Sequence, residues 1–175
     1  MAAFTKPAIL SNRFHLPKET NMEIKSKFLG EQQVDPEKII VFPKGIPGFE
    51  DQTRFKLFHQ EDNPIIFWLQ SVDDENLTFS AANPVDFNIN YSFLLSDEEQ
   101  QLLDLTSPED LAILILLRTD EDPENPGKPA IRGSIKSPIL INIKSRKAIQ
   151  KVLVQLEQSI TLTETHHQFD LSETL

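Results

Sequence analysis

The chain has 175 residues, of which 39% are hydrophobic and 25% charged, with a formal net charge of −10 and no cysteine. One folded domain with tails fits that size and composition, and the missing thiols exclude a disulfide framework, a thiolate metal site and a cysteine nucleophile while suiting a reducing, cytoplasmic compartment. Residues 1–30 carry five Lys/Arg against two acidic residues and residues 31–175 carry twelve against twenty-five, so a leader near +3 precedes a body near −13 that repels nucleic-acid phosphates and suits a basic protein partner.

Residues 1–21 read as a loosely ordered leader: two prolines interrupt them, and they lack the continuous apolar core of a secretory signal. From Met22 the alternation of Ile24, Ser26 and Phe28 with charged neighbours predicts a half-buried strand. Residues 39–42 predict a second strand. It runs into residues 43–48, where two prolines fix φ and two glycines permit positive φ, so a turn is required. Phe55 and Leu57 then alternate with Arg54 and Lys56. Residues 65–69 are continuously apolar behind Asn63-Pro64, the pattern of a strand buried on both faces, which places Trp68 in the core. Leu77, Phe79 and Ala81 alternate again before Asn83-Pro84 ends the run.

After the apolar segment 91–95, Ser96 and Glu99 form an S-x-x-E capping box that starts one short helix, with Leu102, Leu103 and Leu105 as its apolar face. Residues 111–117 predict a Leu/Ile-rich strand. They are also the longest apolar run, far short of the roughly 20 residues needed to cross a bilayer, so no membrane association is expected. Residues 120–129, with three prolines and four acidic residues, read as an exposed connection. Residues 131–135, 139–143 and 149–156 predict three further strands, and residues 158–175 a polar tail. Nine or ten short strands, one helix and no βαβ alternation make the chain all-β: an antiparallel, β-barrel-like single domain over residues 22–157.

Few chemistry-bearing motifs occur in this frame. There is no dinucleotide or P-loop glycine motif, no H-E-x-x-H and no G-x-S-x-G, and five glycines leave little backbone for cradling a phosphate. His15, His166 and His167 fall in tails and His59 in a strand, which reads as incidental histidine rather than a metal site. The acidic groups 73–75 and 120–124 lack the spacing of a calcium loop and read as solvated charge. No catalytic residue, metal or cofactor is assigned, and the expected mode of action is protein binding by a monomer. Two alternatives stay open: a generic acidic interaction module, and a small-ligand-binding barrel or hydrolase. The latter requires a deep pocket holding at least two convergent carboxylates.

The informative segment is Phe42-Pro43-Lys44-Gly45-Ile46-Pro47-Gly48-Phe49-Glu50. Such a loop can present a preorganised apolar surface to a partner or pack as a buried corner, and Ile46 and Phe49 fit either as exposed anchors or as core plugs. Followed by Leu69-Gln70-Ser71, Asp73, Leu77 and Phe79, by Asn83-Pro84 ahead of Phe87 and Tyr91, by Glu109-Asp110-Leu111 and by Ser137-Pro138-Ile139-Leu140-Ile141-Asn142 with Arg146, it resembles the FliW family of bacterial flagellar assembly factors from about Met22 to Leu156. The resemblance implies a β-barrel-like protein that flagellin occupies until flagellin is exported. Freed of flagellin, it captures CsrA, a small RNA-binding translational repressor, and the flagellin message is released for translation. Under that resemblance the partner-binding residues are Gly45, Ile46, Pro47, Gly48, Phe49, Glu50, Gln70, Ser71 and Asn142. A turn-shaping role is expected of Gly45, Pro47 and Gly48, and a hydrogen-bonded structural amide of Asn142. Three features depart from the family pattern. Residues 1–21 precede its start, with Met22 the natural alternative initiator; residues 132–137 replace a small-polar stretch with one holding Arg132 and Lys136; and the connection 120–129 is longer than needed.

Overall fold

A computed structural model describes residues 21–60, 63–121, 127 and 129–154. β1 (Met22–Ser26) and β2 (Gly30–Val34) form a hairpin of their own. The other strands are β3 (Ile39–Val41), β4 (Arg54–Gln60), β5 (Asn63–Ser71), β6 (Thr78–Ala82), β7 (Leu111–Glu121), β8 (Pro129–Gly133), β9 (Ile139–Asn142) and β10 (Ala148–Gln150). They form one antiparallel sheet in the order β10-β9-β7-β6-β5-β4-β3, with β8 also paired to β7. The two ends of that order meet. Val41 bridges Lys147, and its N–H donates to the Arg146 carbonyl at 2.8 Å, so the sheet curls into a nearly closed barrel. The all-β, barrel-like architecture is the one the strand spacing predicts.

Period-two alternation sorts the side chains into two layers. Ile40, Phe42, Ile46, Phe55, Leu69, Ala81, Leu114, Ile139, Ile141 and Ala148 form the inner core. The intervening Leu140 and Ile149 face outwards and meet α1 (Asp97–Leu103) through Leu103, with Phe93, Leu95, Leu102 and Leu105 packed alongside. The predicted capping box starts this helix: the Glu99 N–H donates to Ser96 Oγ at 3.2 Å, and the Ser96 N–H donates to the Glu99 carboxylate at 2.8 Å. Lys151 Nζ reaches the same carboxylate at 2.7 Å and ties the helix to the chain after β10.

Several predicted elements differ in detail. The strand expected from Met22 is a hairpin, because Gly30 takes a φ of 75° and turns the chain after Phe28. β5 is not buried on both faces: Leu69 points inwards, Ile65 is exposed, and Trp68 is half-buried on the outer face, covered by Phe28 with ring centroids 4.5 Å apart. The apolar segment 91–95 is irregular, with Phe93 and Leu95 packed under α1. The last predicted strand shrinks to β10, after which Lys151 and Leu153 donate single backbone bonds to Pro138 and Lys136. The connection expected over 120–129 starts later than its composition suggests, because Asp120 and Glu121 still pair with Ala130 and Pro129. Residues 122–126 and 128 lie outside the described residues, as do the leader 1–20, the tail from 155 and His15, His166 and His167.

Candidate partner-binding surface

The loop between β3 and β4 is folded by its glycines and prolines. The Gly45 N–H donates to the Phe42 carbonyl at 3.0 Å, and Gly45 sits at φ 69° with Glu50 so close that an added Cβ would lie 2.5 Å from its Cα. Only glycine satisfies both conditions. Pro47-Gly48 then makes a second turn closed by the Phe49 N–H on the Ile46 carbonyl at 2.7 Å, with Gly48 at φ 88°, the combination of proline and positive-φ glycine that a type II turn requires. The Gly48 N–H donates to the Glu50 carboxylate at 2.9 Å, and that bond, with the Glu50 N–H, holds this exposed acid below the usual carboxylate range.

The alternatives left open for the two apolar residues separate cleanly. Ile46 is 2% exposed and plugs the core, whereas Phe49 is 38% exposed, with one edge against Phe79 at 5.2 Å between centroids. Phe42, Phe55 and Phe79 complete an aromatic floor beneath the loop. The rigid turn thus holds a half-seated phenyl ring and a fixed carboxylate at the surface.

Gln70 and Ser71 are fully buried and act on the neighbouring turn. Gln70 Nε2 donates to the Ser71 and Asp74 carbonyls at 2.9 Å each, while its carbonyl accepts from Thr78. Ser71 Oγ accepts from the Asp73 and Asp74 N–H groups and donates to Gln52 Oε1 at 2.8 Å. Arg54 Nε donates to Asp73 at 3.0 Å. Gln52 and Arg54, which sequence reasoning missed, therefore clamp the loop 42–52 to the acidic turn 73–75. Their role follows from the pairing of Phe55 with Ser71, and no local pattern reveals it. The Asp74 carboxyl is held below its usual range by hydrogen bonds from Asn76. Glu50, Asp51, Asp73, Asp74 and Glu75 outnumber Lys27, Lys44 and Arg54 at this end of the barrel and leave it acidic.

Of the nine residues singled out from the sequence, Pro47, Gly48, Phe49 and Glu50 are exposed together. Gly45, Ile46, Gln70, Ser71 and Asn142 are buried, so the structure does not present them to a partner. Asn142 lies apart from the others. Its amide donates to the Leu103 and Asp104 carbonyls at 3.0 Å and so caps the C-terminus of α1, while its side-chain oxygen accepts from the Lys144 N–H. Among the described residues no group of three His, Asp or Glu side chains is gathered as a metal would require, and no helix is long and apolar enough to cross a membrane.

The family model described as FliW protein matches residues 23–164. The chain belongs to the FliW family. Flagellar assembly factor FliW of Azoarcus sp. (strain BH72) is 40% identical over 144 residues, which is 82% of this chain and 99% of that protein. Flagellar assembly factor FliW of Chromobacterium violaceum is also 40% identical, over 78% of this chain and 96% of its own. A crystal structure of the flagellar assembly factor FliW superposes with a TM-score of 0.67 at 28% identity, covering 77% of this chain and 91% of that one.

Proposed function

We propose that this FliW-family chain serves flagellar assembly as a cytoplasmic, monomeric protein-binding regulator that is occupied by flagellin and, when freed, captures CsrA. It acts by exchange of partners and performs no covalent chemistry. The observation that carries this reading is the preorganised surface at one end of the barrel, where exposed Pro47, Phe49 and Glu50 adjoin the acidic turn 73–75. A half-seated aromatic beside the fixed Glu50 carboxylate, with Asp74 and Glu75 on the adjoining turn, suits a basic RNA-binding protein: the ring supplies an anchor, and the charges steer and orient the encounter. Because the turn is already closed by its own hydrogen bonds, little conformational entropy is lost on docking.

The barrel does contain a cavity of about 670 Å³ away from this surface, but the charged residues lining it are Lys38, Lys56 and Arg146. A hydrolase reading requires convergent carboxylates there, and the described lining supplies cations instead. Titration of the purified chain with CsrA and with flagellin, separately and then in competition, tests the proposal. Saturable one-to-one binding to each, with displacement of one by the other, is the expected result. A folded chain that binds neither would leave a generic interaction module.

A further inference from the structure

The inner core does not fill the barrel. Ile40, Leu57, Phe67, Leu114 and Ile141 wall a well of about 670 Å³ that reaches Asn83 at the end of β6, Leu111 at the start of β7 and Ile143 just past β9. This is the opposite end of those strands from Phe42, Ser71 and Leu77. Two features set it apart. In a chain of net charge −10, every charged residue that lines it is a cation: Lys38, Lys56 and Arg146. Among the described residues none of the three pairs with a carboxylate; Lys56 Nζ donates instead to the Leu57 carbonyl at 2.9 Å. Burial, followed by the charges of Lys38 and Arg146, holds the Lys56 ammonium below the usual lysine range against a smaller opposing pull from Asp35, and the same ammonium lies 5.5 Å from the centroid of the Phe58 ring, so the rim of the well is net positive.

The second feature is a collar. Val85, 63% exposed, and Ile143, 48% exposed, line the mouth of the well, and Phe87, 47% exposed, lies two residues beyond Val85 on the same 3-10 turn, so the apolar lining runs out to an exposed rim, a collar. A small aliphatic anion would fill the well and leave that collar wet. A polypeptide segment would cover both. We infer that the open end of the barrel is a docking site for an acidic, apolar-faced polypeptide segment, whose side chains enter the well between Leu57, Phe67 and Leu114 while its carboxylates meet Lys38, Lys56 and Arg146. The site lies away from the Gly45–Glu50 turn and takes a partner of opposite charge to the one that turn suits. It stands on the well's geometry and does not depend on the flagellin and CsrA reading.

The test uses the full chain and two probes: the apolar anion 1-anilinonaphthalene-8-sulfonate, and a fluorescein-labelled amphipathic peptide of Leu, Ala and Glu, with a Lys-for-Glu twin as control. The acidic peptide is expected to bind saturably, to displace the dye, and to weaken as salt rises from about 50 to about 300 mM. Lys38→Glu with Lys56→Glu should weaken it by about tenfold or more, and Ala112→Phe, which puts a ring into the well, should do the same without changing charge. If the double reversal unfolds the chain, Lys56→Gln alone is expected to weaken binding about threefold or more. Unchanged affinity in the folded variants, or equal displacement of the dye by the Lys peptide, would overturn the inference.

Discussion

At one end of the barrel Phe42, Ile46 and Phe55 fill the space between the strands, and the chain outside them is acidic; at the other, Ile40, Leu57 and Phe67 stop short of one another and leave a well lined by three cations. The difference begins in the connections. Between β3 and β4 the chain is folded inwards by Gly45 and Pro47-Gly48, so one of its residues becomes core. Around the well, Pro84–Phe87 is a 3-10 turn that leaves Val85 and Phe87 exposed, and among the described residues no side chain fills the well as Ile46 fills the other end. A loop that supplies its own plug yields a rigid surface, and strand ends without a plug yield a cavity.

That contrast predicts unequal costs. Ile46→Ala empties a fully packed site and should destabilise the chain by about 2–5 kcal/mol in urea unfolding, whereas Leu57→Ala, which already borders the well, should cost about 1–2 kcal/mol. Equal losses would mean that the two ends are packed alike. Gly45→Ala forces a Cβ against the Glu50 backbone at positive φ and should cost roughly 1–3 kcal/mol, with CsrA affinity falling alongside; Gly48→Ala, where an added Cβ meets open space, should cost about 1 kcal/mol from φ alone.

A smaller effect concerns α1. Burial pushes the Glu99 carboxyl up, but hydrogen bonds from Lys151 and Ser96 outweigh it and leave the group below its ordinary value of 4.5. A carboxyl depressed in the folded state stabilises fully above that ordinary value and loses its contribution as pH falls through the lowered one. Glu99→Gln should therefore cost about 1 kcal/mol at pH 7 and progressively less as pH falls below 4.5, seen by comparing thermal melts of the two chains across that range. A penalty independent of pH would show that packing and not charge holds the helix. The smallest effect is expected at the well, where Lys56→Met removes a half-buried ammonium that no carboxylate pairs among the described residues and whose partners are the Leu57 carbonyl and the Phe58 ring. Because solvent screens that half-buried group, stability should rise by no more than about 1 kcal/mol in the same melts.

Much of this architecture was legible in the sequence because it rests on local rules. Alternation at Phe55 and Leu57, the Asn63-Pro64 start of β5, and the Ser96 and Glu99 cap each specify structure within a few residues. What escaped depends on pairing across the fold. Trp68 is as apolar as a core residue, and only the placement of the β1–β2 hairpin shows that its cover is Phe28. Gln70 and Ser71 read equally as backbone caps or as partner-facing groups, and only the fold shows them buried on the turn 73–75; Asn142 is the hydrogen-bonded structural amide its apolar strand suggests, but its partners, Leu103 and Asp104, lie up to 39 residues away and no local pattern names them. The cationic well has no motif at all: Lys38, Lys56 and Arg146 come from three separate segments, and the meeting of Val41 with Lys147 brings them to one rim.

Amide hydrogen exchange of the chain with and without CsrA tests the central claim most directly. Binding at the closed, acidic end predicts slowed exchange over residues 45–52 and 71–77, with residues 83–91 beside the well unchanged. Slowing confined to residues 83–91 and 111–114, with the Gly45–Glu50 turn exchanging as in the free chain, would contradict it.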